Sequence, residues 1–349
     1  MDSQNRYIEP ENTLLDAMKQ MDLISKKLLI VTKDNLFVGL ISIGDIQRAI
    51  IKNKPFDTQI AEVLRENIKI ANSDSTFDEI KQMMFKYRME LCPVVDNSNK
   101  IVKVFFWEDI FNDRNPEPLK KFNIPVVIMA GGFGSRLKPL TNVLPKPLIP
   151  IGDKTIIEDI FQKFSIHGSN TFYISVNYKA DLIEYYIENQ KLSYKTYFLK
   201  EEKPLGTAGS LSLLKDKINE SFFVSNCDIL INQDYSEILE YHLSNKNEIT
   251  IVAALKHFSI AYGTIETGEN GQLVKLIEKP ELTLKINSGM YILEPNLLNE
   301  IPENQIFDIT DLISKLQKEK RKVGVFPVSE KSWIDIGDWK EYLNNISKS

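Results

Sequence analysis

The chain has few cysteines. Only Cys92 and Cys227 occur in 349 residues, far apart and outside any Cys-x-x-Cys or Cys/His cluster. That spacing excludes both a disulfide framework and a zinc site. Histidine is equally sparse: His167, His242 and His257 show no partner pattern, and we read them as core-edge or surface residues. There is no basic half. Forty-three Lys and Arg stand against 48 Asp and Glu, for a net charge of -5, which argues against nucleic acid as a main partner. No apolar run is long enough to span a bilayer, and the first residues lack the apolar core of a signal peptide. We therefore expect a cytoplasmic protein without a membrane partner. What is present is ordinary globular material, 43% hydrophobic and 26% charged, and the length predicts two or three domains.

One stretch dominates the chemistry. The apolar run 125–129 reads as a buried strand and leads into Ala130, Gly131, Gly132 and Gly134. Glycines there let the backbone approach a ligand and turn N–H groups toward an anion. Arg136 and Lys146 follow as cations, stiffened by Pro139, Pro145, Pro147 and Pro150. A glycine loop with two braced cations suits a reaction on a nucleoside triphosphate.

Residues 1–118 contain an internal repeat. Helical patterns open at Thr13 and at Thr76, and each is followed by a short strand, a polar turn, a second strand and an Asp-Ile helix start at Asp45 or Asp109. One unit is thus used twice. A polar segment with two prolines, 112–119, reads as a linker. Beyond it, strands and helices alternate: strands at 171–176, 194–198 and 222–225, helices at 155–164, 180–188 and 206–214. Such alternation predicts a mostly parallel sheet covered on both faces, with ligands outside the carboxyl ends of its strands. Later strands are expected at 249–254, 262–266, 273–277 and 286–292, and a last helix at 338–345 with Asp338 as its N-cap.

The glycine stretch resembles the sugar-1-phosphate nucleotidylyltransferases, whose motif runs Gly-Gly-x-Gly-x-Arg-Leu-x-Pro-Leu-Thr and then Pro-Lys-Pro-Leu. Further matches are Pro204 to Ala208, Asp228, Tyr262-Gly263, Glu278 to Pro280, Asn287 to Gly289 and Asp335. The departure is Asn226-Cys227, where Gly-Asp is usual. The repeat resembles the CBS domain, so residues 1–118 are expected to form a CBS-domain pair and 119–349 a nucleotidyltransferase domain. The implied fold class is α/β, a Rossmann-like mostly parallel mixed sheet preceded by an α+β CBS-domain pair.

The resemblance implies roles. Arg136, Lys146 and Lys279 would be catalytic cations. Ala130, Gly131, Gly132, Gly134, Gly206 and Thr207 would face the nucleotide, with Glu201 or Glu202 reading the base. A carboxylate suits the two adjacent donors of guanine, although solvated glutamates explain the same residues. Tyr262, Gly263, Glu278 and Asn287 would face the sugar, and Asp228 and Asp335 would bind Mg²⁺. In the CBS pair, Gly39, Ser42, Asp45 and Asp109 would contact an adenine nucleotide, or the two aspartates serve as helix N-caps. CBS pairs commonly self-associate, which implies a homo-oligomer. The chain ends without hexapeptide repeats, so we expect no attached β-helix domain. The fusion resembles guanylyltransferases that act on glucosamine 1-phosphate in legionaminic acid biosynthesis. GTP with glucosamine 1-phosphate is therefore expected. Mannose 1-phosphate with GTP and glucose 1-phosphate with dTTP are alternatives, and a non-catalytic CBS nucleotide sensor is an alternative of another class.

Overall fold

The computed structural model describes residues 6–343 except 67, 112–119, 191, 338 and 340–341. The expected linker, the side chain of Asp109, and Asp338 with most of the expected last helix lie outside the described residues. The chain divides into two compact units, Met1–Glu117 and Pro118–Ser349, each with a hydrophobic core of its own.

In the first unit the repeat is visible strand by strand. β1 (Tyr7–Ile8) pairs parallel to β2 (Leu28–Lys33), which pairs antiparallel to β3 (Leu36–Ser42). β4 (Ala71–Asn72), β5 (Leu91–Val95) and β6 (Ile101–Phe106) repeat that order, including a register shift at the equivalent place. Helices α1 (Leu14–Ile24) and α3 (Phe77–Tyr87) follow the first strand of each trio, and α2 (Ile43–Ile51) and α4 (Trp107–Phe111) follow the last. The sequence device that starts three of them is the same: Thr13 with Asp16, Ser42 with Asp45, and Thr76 with Glu79 each form a reciprocal capping box. Two otherwise unpaired N–H groups are satisfied at each such start, worth about 1 kcal/mol apiece. Ile30, Phe37, Leu91 and Val95 form a core shared by both copies.

The second unit is built on a seven-stranded sheet. Its elements are β7 (Val126–Met129), α5 (Leu140–Val143), the pair β8 (Pro150–Ile151) and β9 (Lys154–Thr155), α6 (Ile156–Ser165), β10 (Thr171–Val176), α7 (Ala180–Asn189), β11 (Lys195–Lys200), α8 (Gly206–Gly209), β12 (Phe222–Asn226), β13 (Ile229–Ile231), α9 (Tyr235–Asn245), β14 (Ile249–Ser259), β15 (Thr264–Thr267), β16 (Leu273–Ile277), β17 (Glu281–Leu293), α10 (Ile309–Lys318), β18 (Val323–Ser329) and β19 (Trp333–Asp335). The sheet order is β11-β10-β7-β12-β17-β14-β18. Only β17 runs antiparallel to its neighbours. The central β7 is fully buried over Val126 to Ile128, which fits a strand covered on both faces. Because β10 lies on one side of β7 and β12 on the other, the crossovers diverge at its carboxyl end. That divergence leaves a crevice there.

Several local expectations need correction. The helix expected over 206–214 is the short α8 followed by a tighter turn at Ser210–Leu214. Tertiary contacts hold this segment: Gly206 sits at φ +81, where a Cβ would come within 2.8 Å of Phe307 O and Asp308 Oδ1, and the N–H groups of Ala208 and Gly209 donate to Phe307 O at 3.0 and 2.9 Å. Tyr262 and Gly263 precede β15 rather than lie in it. Asp45 is not an N-cap: Ser42 holds that position and Asp45 is the third helical residue. His167 and His242 are not at the core edge but buried. His242 bonds Thr250 Oγ1 through Nδ1 at 2.8 Å and Glu294 Oε1 through Nε2 at 3.0 Å.

Burial pushes the His242 imidazole below its ordinary range, against the pull of Glu294. The unfolded chain then takes up a proton near about pH 6.5 that the folded chain resists. Stability from this residue is full above that value and falls as pH drops. We expect the melting-temperature gap between wild type and His242→Gln to narrow from about pH 8 to pH 5, read by thermal unfolding. A constant gap would show that folding leaves the proton affinity of His242 unchanged.

Candidate active site

Strand register assembles the site. Met129 at the end of β7 is level with Ser175 on β10 and Asn226 on β12, and Val176 is level with Lys200 on β11. The residues that follow, Ala130, Asn177, Glu201 and Cys227-Asp228, therefore emerge at one sheet edge. The N–H of Ala130 donates to Ser175 O at 2.9 Å, carrying the β7–β10 ladder to the edge of the site. Gly134 takes a left-handed φ of +62, and a Cβ there would meet Thr141 Cγ2 at 2.8 Å. Gly132 has open space beside it, as a backbone meant to approach a ligand requires.

The charged centre is Lys146, Asp228, Arg136 and Asp335. Lys146 ion-pairs with Asp228, both side chains being about 10% exposed. Arg136 lies 3.9 Å from the same carboxylate but is 63% exposed. The expectation of two braced cations thus holds for Lys146, whereas Arg136 reaches into solvent. Asp335 arrives from β19, which pairs with β13 so that Asp335 stands opposite Ile229, and Ile336 N–H donates to Asp228 O at 2.9 Å. Burial, and then the charge of Asp228, push the Asp335 carboxyl above the ordinary carboxylate range.

Among the described residues no cluster of three or more His, Cys, Asp or Glu is placed to hold a metal ion. Two converging carboxylates nonetheless fit a magnesium ion, which keeps waters and takes phosphate oxygens for its remaining positions. Cys227, immediately before Asp228 in sequence, is buried, and burial pushes its thiol up to about 12. It acts as a small apolar residue there.

Sequence reasoning missed Gly337. A Cβ on it would lie 2.6 Å from Asp335 Oδ1, 2.9 Å from Arg136 Nη2 and 3.1 Å from Asp228 Oδ2. Only a hydrogen atom fits where the three charges converge. The signal was a glycine two residues after a strand-end aspartate, which spacing alone does not distinguish from a turn. Gly337→Ala should lower turnover about 10-fold or more by displacing these side chains, which a 1 Å misplacement suffices to do. Its melting temperature should change little, since the neighbours are side-chain ends. Steady-state kinetics with thermal unfolding would check both.

Glu201 is held rather than solvated. Its carboxylate accepts from the Ser175 hydroxyl and, at 3.0 Å, from Leu205 N–H, while its carbonyl accepts from Asn177 Nδ2 at 2.7 Å. Gly131 makes room for it: a Cβ there would fall 2.8 Å from Glu201 Oε1. Glu202 is exposed. Thr207 is engaged elsewhere, its N–H and hydroxyl both donating to Asp308 Oδ1 at 2.9 and 3.0 Å.

The sugar-side candidates form a separate group. A Cβ on Gly263 would lie 2.8 Å from Glu278 Oε2, and Lys279 adopts a left-handed φ of 47. Tyr262 is 79% exposed. Among the described residues, no hydrogen bond or ion pair joins Tyr262, Glu278 or Lys279 to the charged centre. Asn287 is nearer: its Nδ2 donates to Tyr291 OH at 2.8 Å, and Gly289 packs on Asn226, two residues before Asp228. The unusual Asn226 is thereby explained, since its side chain occupies the space a Cβ on Gly289 would need.

In the first unit, Ser42 and Asp45 are joined by hydrogen bonds, while the neighbours of Gly39 are the side chains of Leu64 and Ile68. The Asp45 carboxylate is already engaged. Arg65 reaches it at 2.5 and 2.8 Å and also bonds Ser42 Oγ at 2.6 Å, and Arg48 pairs with the same carboxylate. Burial raises the Asp45 carboxyl, but the bonds from Arg65 and Ser42 outweigh it and hold it below the ordinary range.

No helix among the described residues is long and apolar enough to cross a membrane. A family model described as nucleotidyl transferase matches residues 125–349, and one described as CBS domain matches residues 1–52. Among curated proteins, the mannose-1-phosphate guanylyltransferase catalytic subunit beta of Dictyostelium discoideum is 34% identical over 233 residues, covering 63% of each chain. Mannose-1-phosphate guanylyltransferase 1 of Arabidopsis thaliana is 31% identical over 229 residues, again 63% of each. The match thus spans about 63% of the length of these relatives. Among solved structures, HddC from Yersinia pseudotuberculosis matches with a TM-score of 0.51 and 28% identity, over 64% of this chain and 99% of that one. It has also been solved with GMP-PN. With the charged centre and the sheet edge that hold it, these matches show that the chain belongs to the nucleotidyl transferase family.

Proposed function

We propose that the chain transfers a guanylyl group from GTP to a hexose 1-phosphate and releases pyrophosphate. The observation that supports this most directly is the convergence of Lys146, Arg136, Asp228 and Asp335 beside the glycine loop at the end of β7. An ionised oxygen of the sugar phosphate attacks the α-phosphorus of GTP. The bond from the α-phosphorus to the α,β-bridging oxygen breaks, and pyrophosphate leaves with that oxygen. A phosphate monoester is already ionised near neutral pH, so no general base is required. What the protein supplies is alignment and charge.

Lys146 stabilises charge developing at the α-phosphate, and Arg136 takes the departing β,γ-phosphates. Lys279 orients the attacking phosphate. Asp228 and Asp335 would hold Mg²⁺, which supplies charge neutralisation between the phosphates. Glu201 offers its remaining acceptor capacity to the N1–H and amino group of guanine, and Ala130, Gly131, Gly132, Gly134 and Gly206 line the nucleotide side, Thr207 being held by Asp308. Tyr262, Gly263, Glu278 and Asn287 meet the sugar.

The CBS–nucleotidyltransferase arrangement supports glucosamine 1-phosphate as the acceptor, in surface-glycan synthesis of the legionaminic acid type. The names of the Dictyostelium and Arabidopsis relatives favour mannose 1-phosphate as a second reading. Residues 1–118 are read as a CBS-domain pair. Gly39, Ser42 and Asp45 are its candidate adenine-nucleotide contacts. A panel of nucleoside triphosphates and sugar phosphates, assayed for pyrophosphate with Mg²⁺, tests the assignment. We expect GTP to exceed dTTP in kcat/KM by about 10²-fold or more, since a site built for particular donors rejects bases lacking them. Equal rates with dTTP would remove the role given to Glu201. Titrating AMP or ATP into the same assay reads any influence of the first unit.

A further inference from the structure

Past Leu255, β14 and β17 leave the seven-stranded sheet. β18 pairs with β14 only as far as Leu255 opposite Ser329, whereas β14 and β17 stay paired out to Ser259 opposite Glu281. Ile260 N–H then donates to Pro280 O at 3.0 Å, and the chains pair again as β15 and β16 from Thr264 opposite Ile277. Residues 255–285 are therefore one long two-stranded ribbon. Among the described residues no third strand pairs with either edge of it beyond Leu255.

A two-stranded ribbon is marginal in water by itself, and unpaired edges invite another chain. This ribbon also presents apolar faces. Phe258 stands opposite Leu282, with Leu284 two residues along on the same face; further out, Ile265 stands opposite Leu276, with Val274 two residues along. All six are between 42% and 66% exposed. Taken together, side chains of that size expose on the order of 600 Å² of apolar surface over the two ladders, close to the ~800 Å² each partner gives to a standard interface.

We propose that this ribbon is the surface through which two copies of the chain associate. The charges favour a second copy over a partner of one sign. Residues 255–285 contain four lysines and four glutamates and no Asp or Arg, so a two-fold-related ribbon can set opposite charges against its own. The association has a consequence that rests on the proposed function: Tyr262-Gly263 and Glu278-Lys279 lie at the break between the two ladders, so a second copy fixes the ribbon that carries the sugar-side candidates.

The test reads mass, not turnover, and so succeeds or fails independently of the proposed reaction. Sedimentation velocity of the full chain should show a dimer at micromolar concentration. The double variant Val274→Glu, Leu276→Glu should be monomeric, with association at least about 100-fold weaker and an unchanged circular dichroism spectrum. Ile265→Lys, also at an exposed position, is the second variant should the first fail to fold. Tyr185→Glu, on exposed α7 away from the ribbon, should remain dimeric. A wild-type monomer at all concentrations would overturn the proposal, as would a dimer that the ribbon variants leave intact.

Discussion

Lys146→Met should lower kcat/KM about 10²–10³-fold, the loss usual for removing one preorganised charge stabiliser, with the loss mainly in kcat. Lys146 is the buried cation of the site and its partner is the buried Asp228. Its charge is therefore worth more against a developing phosphate charge than that of the exposed Arg136. The same burial complicates the variant. Removing one member of a buried pair leaves the other uncompensated, at a cost of about 3–5 kcal/mol. The double variant Lys146→Met, Asp228→Asn removes both charges, and should regain stability without regaining activity. Thermal unfolding beside pyrophosphate kinetics separates the two effects. Near-native turnover in a folded Lys146→Met protein would remove Lys146 from the mechanism.

Asp335→Asn should move activity and stability in opposite directions. Its carboxylate is partly buried, and the Asp228 charge lies close by across the β13–β19 pair. With no divalent cation present, two like charges there oppose folding, so the asparagine protein should melt at a higher temperature than wild type. With Mg²⁺ and GTP at about 100 times their Kd, wild type should gain about 2.7 kcal/mol and the variant much less. Turnover of the variant should fall by about 10³-fold, the scale of lost electrostatic stabilisation in phosphoryl transfer. A purely structural Asp335 would give the reverse pattern, a lower melting temperature with ligand stabilisation retained.

The parts legible in the sequence were those written locally. The glycine stretch, the alternation of strand and helix, and the strand-end positions of Glu201 and Asp228 place half the site from sequence alone. The mostly parallel sheet follows from the same alternation. What was not legible depends on residues far apart in sequence. Gly206 takes a left-handed φ where Phe307 and Asp308, about a hundred residues later, leave no room for a Cβ. The grip of Ser175 on Glu201 comes from parallel pairing of β10 with β11. Asp45 is a different case: Ser42 three residues before it spells a capping box, and that spacing was readable. The ribbon's alternating apolar residues were also readable as strands, but only the sheet order shows that no other described strand covers their edges.

Attack at the α-phosphorus with pyrophosphate as the leaving group is the central claim, and labelled GTP tests it most directly. The protein would be incubated with Mg²⁺, glucosamine 1-phosphate or mannose 1-phosphate, and GTP labelled at either the α- or the γ-phosphorus. We predict that α-label appears in the sugar nucleotide and γ-label in pyrophosphate. γ-label in inorganic phosphate, or no transfer of α-label to any sugar phosphate while adenine nucleotide binds tightly, would contradict it and point instead to a hydrolase or a nucleotide sensor.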